Sequence, residues 1–465
     1  MSQRTVKEIA AVCGGEILSG DPEARIGKIV SNHLDVTPSC GFIAIKGNRS
    51  DGNDFVPEAI RNGCRLIITE NELTHTGAAV IKVRNVYIAI ERLAVYLREK
   101  EIKTLIGVTG SVGKTTVREL LTSVLSERER VLSTRDNRNN LLGLCFTLLE
   151  NDGAQTAVCE LGISEKGEMS ALSRISAPDM AIITNARYMH AETLGSVEDI
   201  AREKLKITEF MRYGGSVITN ADEPLLSGCG LRKQRLKTVS VLSNDSADYT
   251  ILDKKTADNG TVFDVKRKDG RVFSGLFVPL YGSGGIYDAL LALAAADTLG
   301  VDETEIRKGL SGYVPCGNRQ RVKNVCGATV MLDCYNSGPA SLAEALDVFC
   351  AVCASSGKKE RILLLGSMLE LGKMSKECHV EAGKKACDLD PTLLITFGRE
   401  AETIARGAVE AGLSPKRVYS FFEGEEQKLG RLLNGAVSSK SAVLIKGSRR
   451  LKMERFEAYI GACEE

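Results

Sequence analysis

Three short segments of this chain combine residue types and spacing that could do chemistry. In the first, Leu105-Ile-Gly-Val-Thr-Gly-Ser-Val-Gly-Lys-Thr-Thr116, an apolar strand runs through a glycine turn into the start of an amphipathic helix. Such a loop aims several backbone N–H groups, and the positive end of a helix, at one small volume, where phosphate is the natural occupant. Gly110, Ser111, Gly113 and Thr116 would shape that cradle, Lys114 would reach the β- and γ-phosphates of a nucleotide, and the Thr115 hydroxyl would ligate Mg²⁺. The strict Gly-x-x-x-x-Gly-Lys-Ser/Thr pattern wants a glycine at position 108, where Val108 stands. The competing explanation is an ordinary glycine-rich strand-to-helix turn, and the order of strand, glycines, Lys-Thr and helix argues against it. In the second segment, Ala157-Val-Cys-Glu-Leu-Gly162, an apolar strand ends in a carboxylate, so Glu160 is placed to hold Mg²⁺ near the phosphates. The third is the strand Ile182-Ile-Thr-Asn185 and the loop after it, which carries His190. His190 could bind a second divalent ion as a neutral imidazole, or be an ordinary loop histidine. The helix beyond, from Val197 to Ile207, contains Lys204, which composition alone leaves as a solvated lysine.

Positioning three strand ends together requires a mostly parallel sheet, and the pattern supplies one. Strands Leu105–Thr109, Ala157–Leu161, Met180–Thr184 and Ser216–Thr219 alternate with helices. The piece Asp248–Val278 predicts hairpins, with turns at Asp258-Asn-Gly and Asp269-Gly, and a turn at Gly282–Gly285 opens a helix Tyr287–Leu299. Ahead of this region, Ile26–Val30, Gly41–Ile45, Leu66–Thr69 and Val80–Val83 predict short strands, and Asn85–Lys100 a helix. After it, Ala328–Asp333, Arg361–Leu365, Thr392–Phe397, Arg417–Phe421 and Ala442–Lys446 predict a smaller doubly wound sheet. The expected fold class is α/β with three domains, each burying its own core. They are a small α/β N-terminal domain (1–84), a central P-loop ATPase domain with a mostly parallel sheet (85–314) and a C-terminal Rossmann-like domain (315–465).

Composition narrows the class. The 61 Lys and Arg against 60 Asp and Glu leave a net charge of +1, so no basic excess points to nucleic acid as a partner. Apolar runs such as Ala289–Ala296 are too short to span a bilayer, and Met1-Ser-Gln-Arg-Thr carries no apolar signal segment. Fourteen cysteines then read as reduced thiols of a cytoplasmic protein. Cys350 and Cys353 form one Cys-x-x-Cys inside a helical pattern, which favours core packing over metal.

Taken in order, these segments resemble the Mur ligase family, the ATP-dependent amide-forming ligases of bacterial cell-wall synthesis. The family's loop has the form Thr-Gly-Ser/Thr-x-Gly-Lys-Thr, which accommodates Val108. Further matching pieces are Asn139-Asn140 with Gly143, Gly167-Glu168, and Asn185 with His190, Glu192, Gly195 and Ser196. The C-terminal part adds Gly317-Asn-Arg319, Asp333-Cys-Tyr335-Asn336, Met368-Leu-Glu370-Leu-Gly372 with His379, and Lys446-Gly-Ser-Arg449. The Met-Leu-Glu-Leu-Gly and Lys-Gly-Ser-Arg pieces are similar to the branch that adds D-alanyl-D-alanine.

The resemblance implies a nucleotide-sugar domain, an ATPase domain and a C-terminal domain that closes over ATP and brings the amine. ATP would convert a substrate carboxylate into an acyl phosphate, which the amine attacks. The resemblance further implies that Lys114, His190, Lys204 and Arg319 are catalytic, with Lys204 carbamylated and Arg319 on the γ-phosphate. It places Asn185 and Asp333 on the nucleotide, Asp333 at the ribose, and Asn139, Asn140, Asn336 and Arg449 on the substrates. Thr115, Glu160 and His190 would hold two Mg²⁺ ions. The partners implied are small molecules, with no nucleic acid or membrane, and the protein a monomer.

The chain also departs from the family pattern. Val30-Ser31-Asn32-His33 lacks an arginine that helps hold the uridine nucleotide, whereas Asp51-Gly-Asn-Asp54-Phe55 is kept. Gly284, Gly285 and Asp288 replace side chains that read adenine, Ser367 replaces an aspartate, and Tyr335-Asn-Ser-Gly-Pro replaces Tyr-Asn-Ala-Asn-Pro. Two alternatives stay open on the residues alone: a paralogue joining a different acid and amine, and a non-catalytic nucleotide-binding relative.

Overall fold

The protein is described by a computed structural model over residues 4–47, 50–73, 77–135, 138–187, 191–227, 234–242, 244–257, 259–315 and 317–461. Its centre is a nine-stranded sheet. From one edge the strands are Val131–Ser133, Thr156–Glu160, Thr104–Thr109, Met180–Ile183, Ser216–Asn220, Arg235–Ser240, Tyr249–Ala257, Gly260–Arg267 and Val272–Val278. The first seven run parallel and the last two add antiparallel hairpins. The central strands Thr104–Thr109, Thr156–Glu160 and Met180–Ile183 are almost wholly buried because helices cover both faces of the sheet there. Strand Thr104–Thr109 precedes both of its neighbours in sequence, so the chain leaves it to one side and later crosses to the other. This reversal opens a crevice at its carboxyl end. The ends of Thr104–Thr109, Thr156–Glu160 and Met180–Ile183 therefore meet.

The N-terminal sheet has five strands in the order Glu16–Ser19, Ala79–Lys82, Leu66–Thr69, Gly41–Ile43 and Ile29–Val30. A helix not expected from the sequence, Val6–Cys13, starts at a capping box between Thr5 and Glu8. The expected strand Ile26–Val30 is two strands, Arg25–Ile26 and Ile29–Val30, which belong to different sheets and change direction at Gly27-Lys28. Beside cores of their own, the N-terminal and central parts share a further one. One cluster of buried residues runs from Val6, Ile43 and Ile81 through Ile90 and Leu97 to Leu105, Leu144 and Ile183. Helix Val86–Lys100 is the shared layer, packing on Val6–Cys13, Leu141–Leu149 and Glu168–Ser176.

The C-terminal sheet has the order Arg321–Val325, Ala328–Asp333, Ser441–Lys446, Glu360–Gly366, Leu393–Phe397 and Val418–Phe421. Its first strand is antiparallel and the others parallel. Helix Pro339–Ser356 is long and apolar enough to pass a length-and-composition test for a membrane span, unlike the runs picked out in the sequence. Its apolar residues Leu342, Leu346, Phe349 and Val352 instead pack against Met331, Leu363 and Leu444 of the sheet. Cys353 joins that core, and Cys350 is exposed.

Arg98 ties the shared core together. Although fully buried, its guanidinium donates to the backbone oxygens of Ser176 (2.5 Å), Ile102 (2.7 Å) and Ala177 (2.7 Å), and pairs with Asp179 at 2.6 Å. Arg98→Met leaves three carbonyls and one carboxylate without that donor. The expected loss is about 3 kcal/mol of stability, measured as a lowered Tm. An unchanged Tm would show that the strut is dispensable.

Candidate active site

Close contacts shape the phosphate loop. Gly110 has φ 151°, and a Cβ there would stand 1.8 Å from Thr184 Oγ1. Gly113 has φ 87°, and its Cβ would stand 2.3 Å from Asp288 Oδ1. Neither position admits a side chain. Val108 lies inside the strand, paired with Glu160 and Ile182, so the turn begins only at Gly110. Asn185 holds the loop's shape: its Oδ1 accepts from Ser111 N (3.2 Å) and Val112 N (2.9 Å), and its Nδ2 donates to Val112 O (3.0 Å). Ser111 Oγ donates to Arg187 O (2.8 Å) and accepts from Arg187 N (2.9 Å).

Helix Lys114–Ser126 starts directly at the loop. Lys114 Nζ folds back onto Gly110 O (2.9 Å) and Ser111 O (3.2 Å). Burial lowers the pKa of Lys114, Glu160 opposes that shift and the charge of Arg319 adds to it. Thr115 Oγ1 donates to Glu160 Oε2 (2.7 Å), and Asn139 Nδ2 donates to Glu160 Oε1 (3.0 Å). The Glu160 backbone N–H is anchored on Thr134 Oγ1 at 2.9 Å. Asn140, in contrast, caps helix Leu141–Leu149 through Gly143 N (2.8 Å) and does not line the cavity described below.

Lys204 is not the solvated residue that composition suggests. Helix Val197–Leu205 turns Ile200, Ala201, Glu203 and Lys204 inward, leaving Lys204 4% exposed. Burial, and then the charge of Lys114, push its pKa well below the ordinary lysine value. Its neighbour Glu203 accepts from Gly167 N (2.7 Å) and pairs with Lys206 (2.7 Å). His190 lies outside the described residues, as do Asp258 and the side chain of Glu192.

The C-terminal sheet faces this loop across a cavity of about 980 Å³, whose lining combines Ser111–Thr116, Asn139 and Glu160 with Arg319, Asp333, Tyr335, Asn336, Met368–Gly372, Lys446 and Arg449. The Arg319 guanidinium stacks on the Tyr335 ring at 3.4 Å. Lys446 Nζ donates to Asp333 Oδ2 (2.6 Å) and Asn336 O (3.0 Å). Arg449 pairs with Glu454 at 2.9 Å. Buried His379 accepts from Met368 N on Nε2 (3.0 Å) and donates from Nδ1 to Ser375 O (2.6 Å), which pins the Met368–Gly372 loop. Burial lowers its pKa and so favours this neutral form. Ser367 accepts from Ala401 N at 3.1 Å and stays out of the cavity.

Sequence reasoning passed over Glu344 and gave no role to Lys446 or Asp288, which it met only within a matching and a departing motif; all three line the cavity. Lys446 carried the same signal as Glu160 and Asp333, a charged residue ending an apolar strand. Glu344 sits inside helix Pro339–Ser356 and gave none. The glycine-rich segment was also misjudged as a turn before the helix: the helix spans Gly282–Thr298, with Gly284 and Gly285 in its first turn. They permit close approach, since a Cβ would meet Glu344 Oε1 at 1.6 Å and Leu280 Cβ at 2.7 Å, respectively.

A phosphate loop at a sheet's switch point, closed over by a second parallel sheet with its own cations, defines a two-lobed nucleotide-dependent ligase. The chain belongs to the Mur ligase family: residues 108–296 match the Mur ligase middle domain and residues 319–449 the Mur ligase glutamate ligase domain. Within it, UDP-N-acetylmuramoyl-tripeptide–D-alanyl-D-alanine ligase of Bacillus subtilis (strain 168) is 32% identical over 460 residues, covering 98% of this chain and 97% of that protein. The enzyme of the same name from Treponema pallidum (strain Nichols) is 31% identical, covering 96% of each. Among solved structures, MurF from Acinetobacter baumannii superposes with TM-score 0.84 at 25% identity, covering 98% of both chains. MurF ligase from Thermotoga maritima in complex with ADP gives 0.78 at 26%, covering 93% of this chain and 97% of that one.

The loop geometry yields a direct test. Gly110→Ala drives a methyl into Thr184 and should weaken ADP binding at least about tenfold, the equivalent of about 1.4 kcal/mol. Titration calorimetry measures it, and unchanged affinity would refute the assigned cradle.

Proposed function

We propose that this protein uses ATP to join D-alanyl-D-alanine to a UDP-N-acetylmuramoyl-tripeptide. One observation carries the reading: a single cavity holds the phosphate loop in one wall and Arg319, Asp333, Lys446 and the Met368–Gly372 loop in the other. The relatives' names and the ADP complex from Thermotoga supply the substrates.

A carboxylate is a poor electrophile, so the γ-phosphoryl group of ATP passes to the acid and ADP departs. The dipeptide amine then attacks the acyl carbon, phosphate leaves, and the amine loses a proton as the amide forms. Gly110, Ser111, Gly113, Thr115 and Thr116 cradle the phosphates through the backbone, and Asn185 keeps that cradle in shape. Lys114 and Arg319 offset the charge of the phosphoryl group from the two walls. Asp333 holds the ribose, and Lys446 fixes its orientation. Asn139, Asn140, Asn336 and Arg449 serve the substrates, Asn140 through the helix it caps.

The Thr115 hydroxyl and Glu160 carboxylate touch at 2.7 Å beside the loop. They are hard oxygen donors of the kind Mg²⁺ takes together with phosphate and water. Mg²⁺ supplies charge neutralisation of the phosphates, and His190 is assigned to a second ion. Lys204, buried beside Lys114 and biased toward a neutral amine, suits carbamylation by CO₂, which would make it an anion facing Lys114. The N-terminal domain (1–84) takes the nucleotide-sugar, the central domain (85–314) ATP, and the C-terminal domain (315–465) the amine. The described cysteines are free thiols, which fits a cytoplasmic enzyme, and a monomer contains the whole site.

With ATP, Mg²⁺, UDP-N-acetylmuramoyl-tripeptide and D-alanyl-D-alanine, phosphate release should require both substrates. Lys114→Ala should abolish it while circular dichroism stays native. Release with some other acid and amine, but not these, would move the protein to a different pathway. Lys204→Ala should lose most turnover and recover part of it with added acetate. Full activity without rescue would rule out the carbamate.

A further inference from the structure

A second cavity, of about 330 Å³, lies between the N-terminal sheet and the open edge of the central one, and no described residue lines both it and the active site. One wall is the corner Gly27-Lys28 with the turn 37–40. Two backbone bonds pin these segments together, Gly27 N to Ser39 O (2.9 Å) and Gly41 N to Lys28 O (3.0 Å). The other wall is the edge strand Val131–Ser133 with the residues flanking it, and the end of helix Leu141–Leu149.

Charge in this cavity is one-sided. Its described lining carries four cations, Lys28, Arg130, Arg135 and Arg138, against two acids, Glu150 and Asp152. Both acids are taken: Arg130 pairs with Asp152 at 2.8 Å and Arg138 with Glu150 at 2.6 Å. Lys28, half-buried, and Arg135, exposed, form no ion pair among the described residues. The whole chain has a net charge of only +1, so this excess of two is a local arrangement. Ser39 adds a neutral donor. Its turn closes with Cys40 N on Thr37 O (3.0 Å), has Pro38 in second place and sets Ser39 at φ 77°. That matches the third place of a type II turn, which glycine fills at least cost. Serine in this strained place keeps a hydroxyl in the lining, without a hydrogen-bond partner among the described residues.

Lysine and arginine side chains only donate, so unpaired ones in a cavity complement an acceptor. A guanidinium fork in one wall and an ammonium in the other suit an anion with several oxygens better than one lone carboxylate. Pro38 and Leu132 add apolar surface, and a volume at the small end for ligand sites calls for a compact body. We infer that this cavity binds a small multivalent oxyanion, a phosphate ester or a di- or tricarboxylate, held by Lys28 and Ser39 on one side and Arg135 on the other. The site is independent of the ligation reaction, whose phosphates belong to the Lys114 loop. Its ligand bridges the N-terminal sheet and the edge of the central one.

Calorimetric titration of the full chain tests this, in Mg²⁺-free Tris buffer with excess ADP to occupy the phosphate loop. The probes are inorganic pyrophosphate and citrate. At least one should bind at a single site, and added NaCl should weaken it. Tighter pyrophosphate identifies phosphate as the ligand's anionic group, and tighter citrate identifies carboxylate. The double variant Lys28→Ala, Arg135→Ala should lose at least about tenfold in affinity, as expected for charge-assisted hydrogen bonds. Ser39→Gly keeps the turn and should lose about threefold, one neutral hydrogen bond. Lys114→Ala, in the other cavity, should leave this binding in place. Lys28 and Arg135 have no ion pair to lose, so the double variant should fold, which circular dichroism checks. Binding of neither probe, unchanged affinity in the double variant or in Ser39→Gly, or loss of binding in Lys114→Ala overturns the inference.

Discussion

Cations brought close together around one small volume organise this molecule. The charge of Lys114 helps depress the protonation of Lys204, and that of Arg319, from the opposite wall, helps depress that of Lys114. A folded protein ordinarily pairs such groups or keeps them in water. Acids line the same cavity, Glu160, Asp288, Asp333 and Glu344 among them. Glu160 is held by Thr115 and Asn139, and Asp333 by Lys446. A bound polyanion would bring counter-charge directly to the point where Lys114 and Arg319 converge. Crowding cations this way costs stability, and the cost is offset by burial elsewhere in the chain.

That offset is visible in how the lobes are joined. The N-terminal sheet and the central sheet share one core through helix Val86–Lys100, and Arg98 fastens the layer to the Ser176–Asp179 segment. Asp179 also accepts from Leu105 N at 2.8 Å, at the start of the phosphate-loop strand. The strut therefore sits at the foot of the strand whose other end carries the loop. The loop is rigid at its tip for a separate reason, the bonds between Asn185 and Ser111 and Val112. A loop fixed at both ends gives up little conformational entropy on binding phosphate.

Much of the chemistry was legible because it lies at strand ends, where apolar runs stop at a polar residue. Thr109, Glu160, Asn185, Asp333 and Lys446 all follow that rule. Pattern alone could not place Lys204. Its helix reads as polar, and its burial depends on which face meets the central domain, a tertiary fact. The same holds for Asn140, where Asn-Asn-x-x-Gly mixes a cavity amide with a helix cap. It holds too for Ile26–Val30, where one apolar run serves two sheets. A shared core is likewise invisible locally, since helix Val86–Lys100 looks the same whether it covers one domain or two.

Glycines in the Gly282–Gly285 segment show how the two lobes constrain each other. Read alone, glycine at position 284 means a turn. In the fold it is a hole in a helix, and the filling comes from Glu344, sixty residues later and on the other lobe. A side chain at position 284 would displace that carboxyl, and removing Glu344 would leave the hole open. The lobe that delivers Glu344 also delivers Arg319, Asp333 and Lys446. Seating the glutamate against Gly284 thus brings the second wall within reach of the phosphate loop, and the docking contact and the electrostatic one are made in the same closed arrangement.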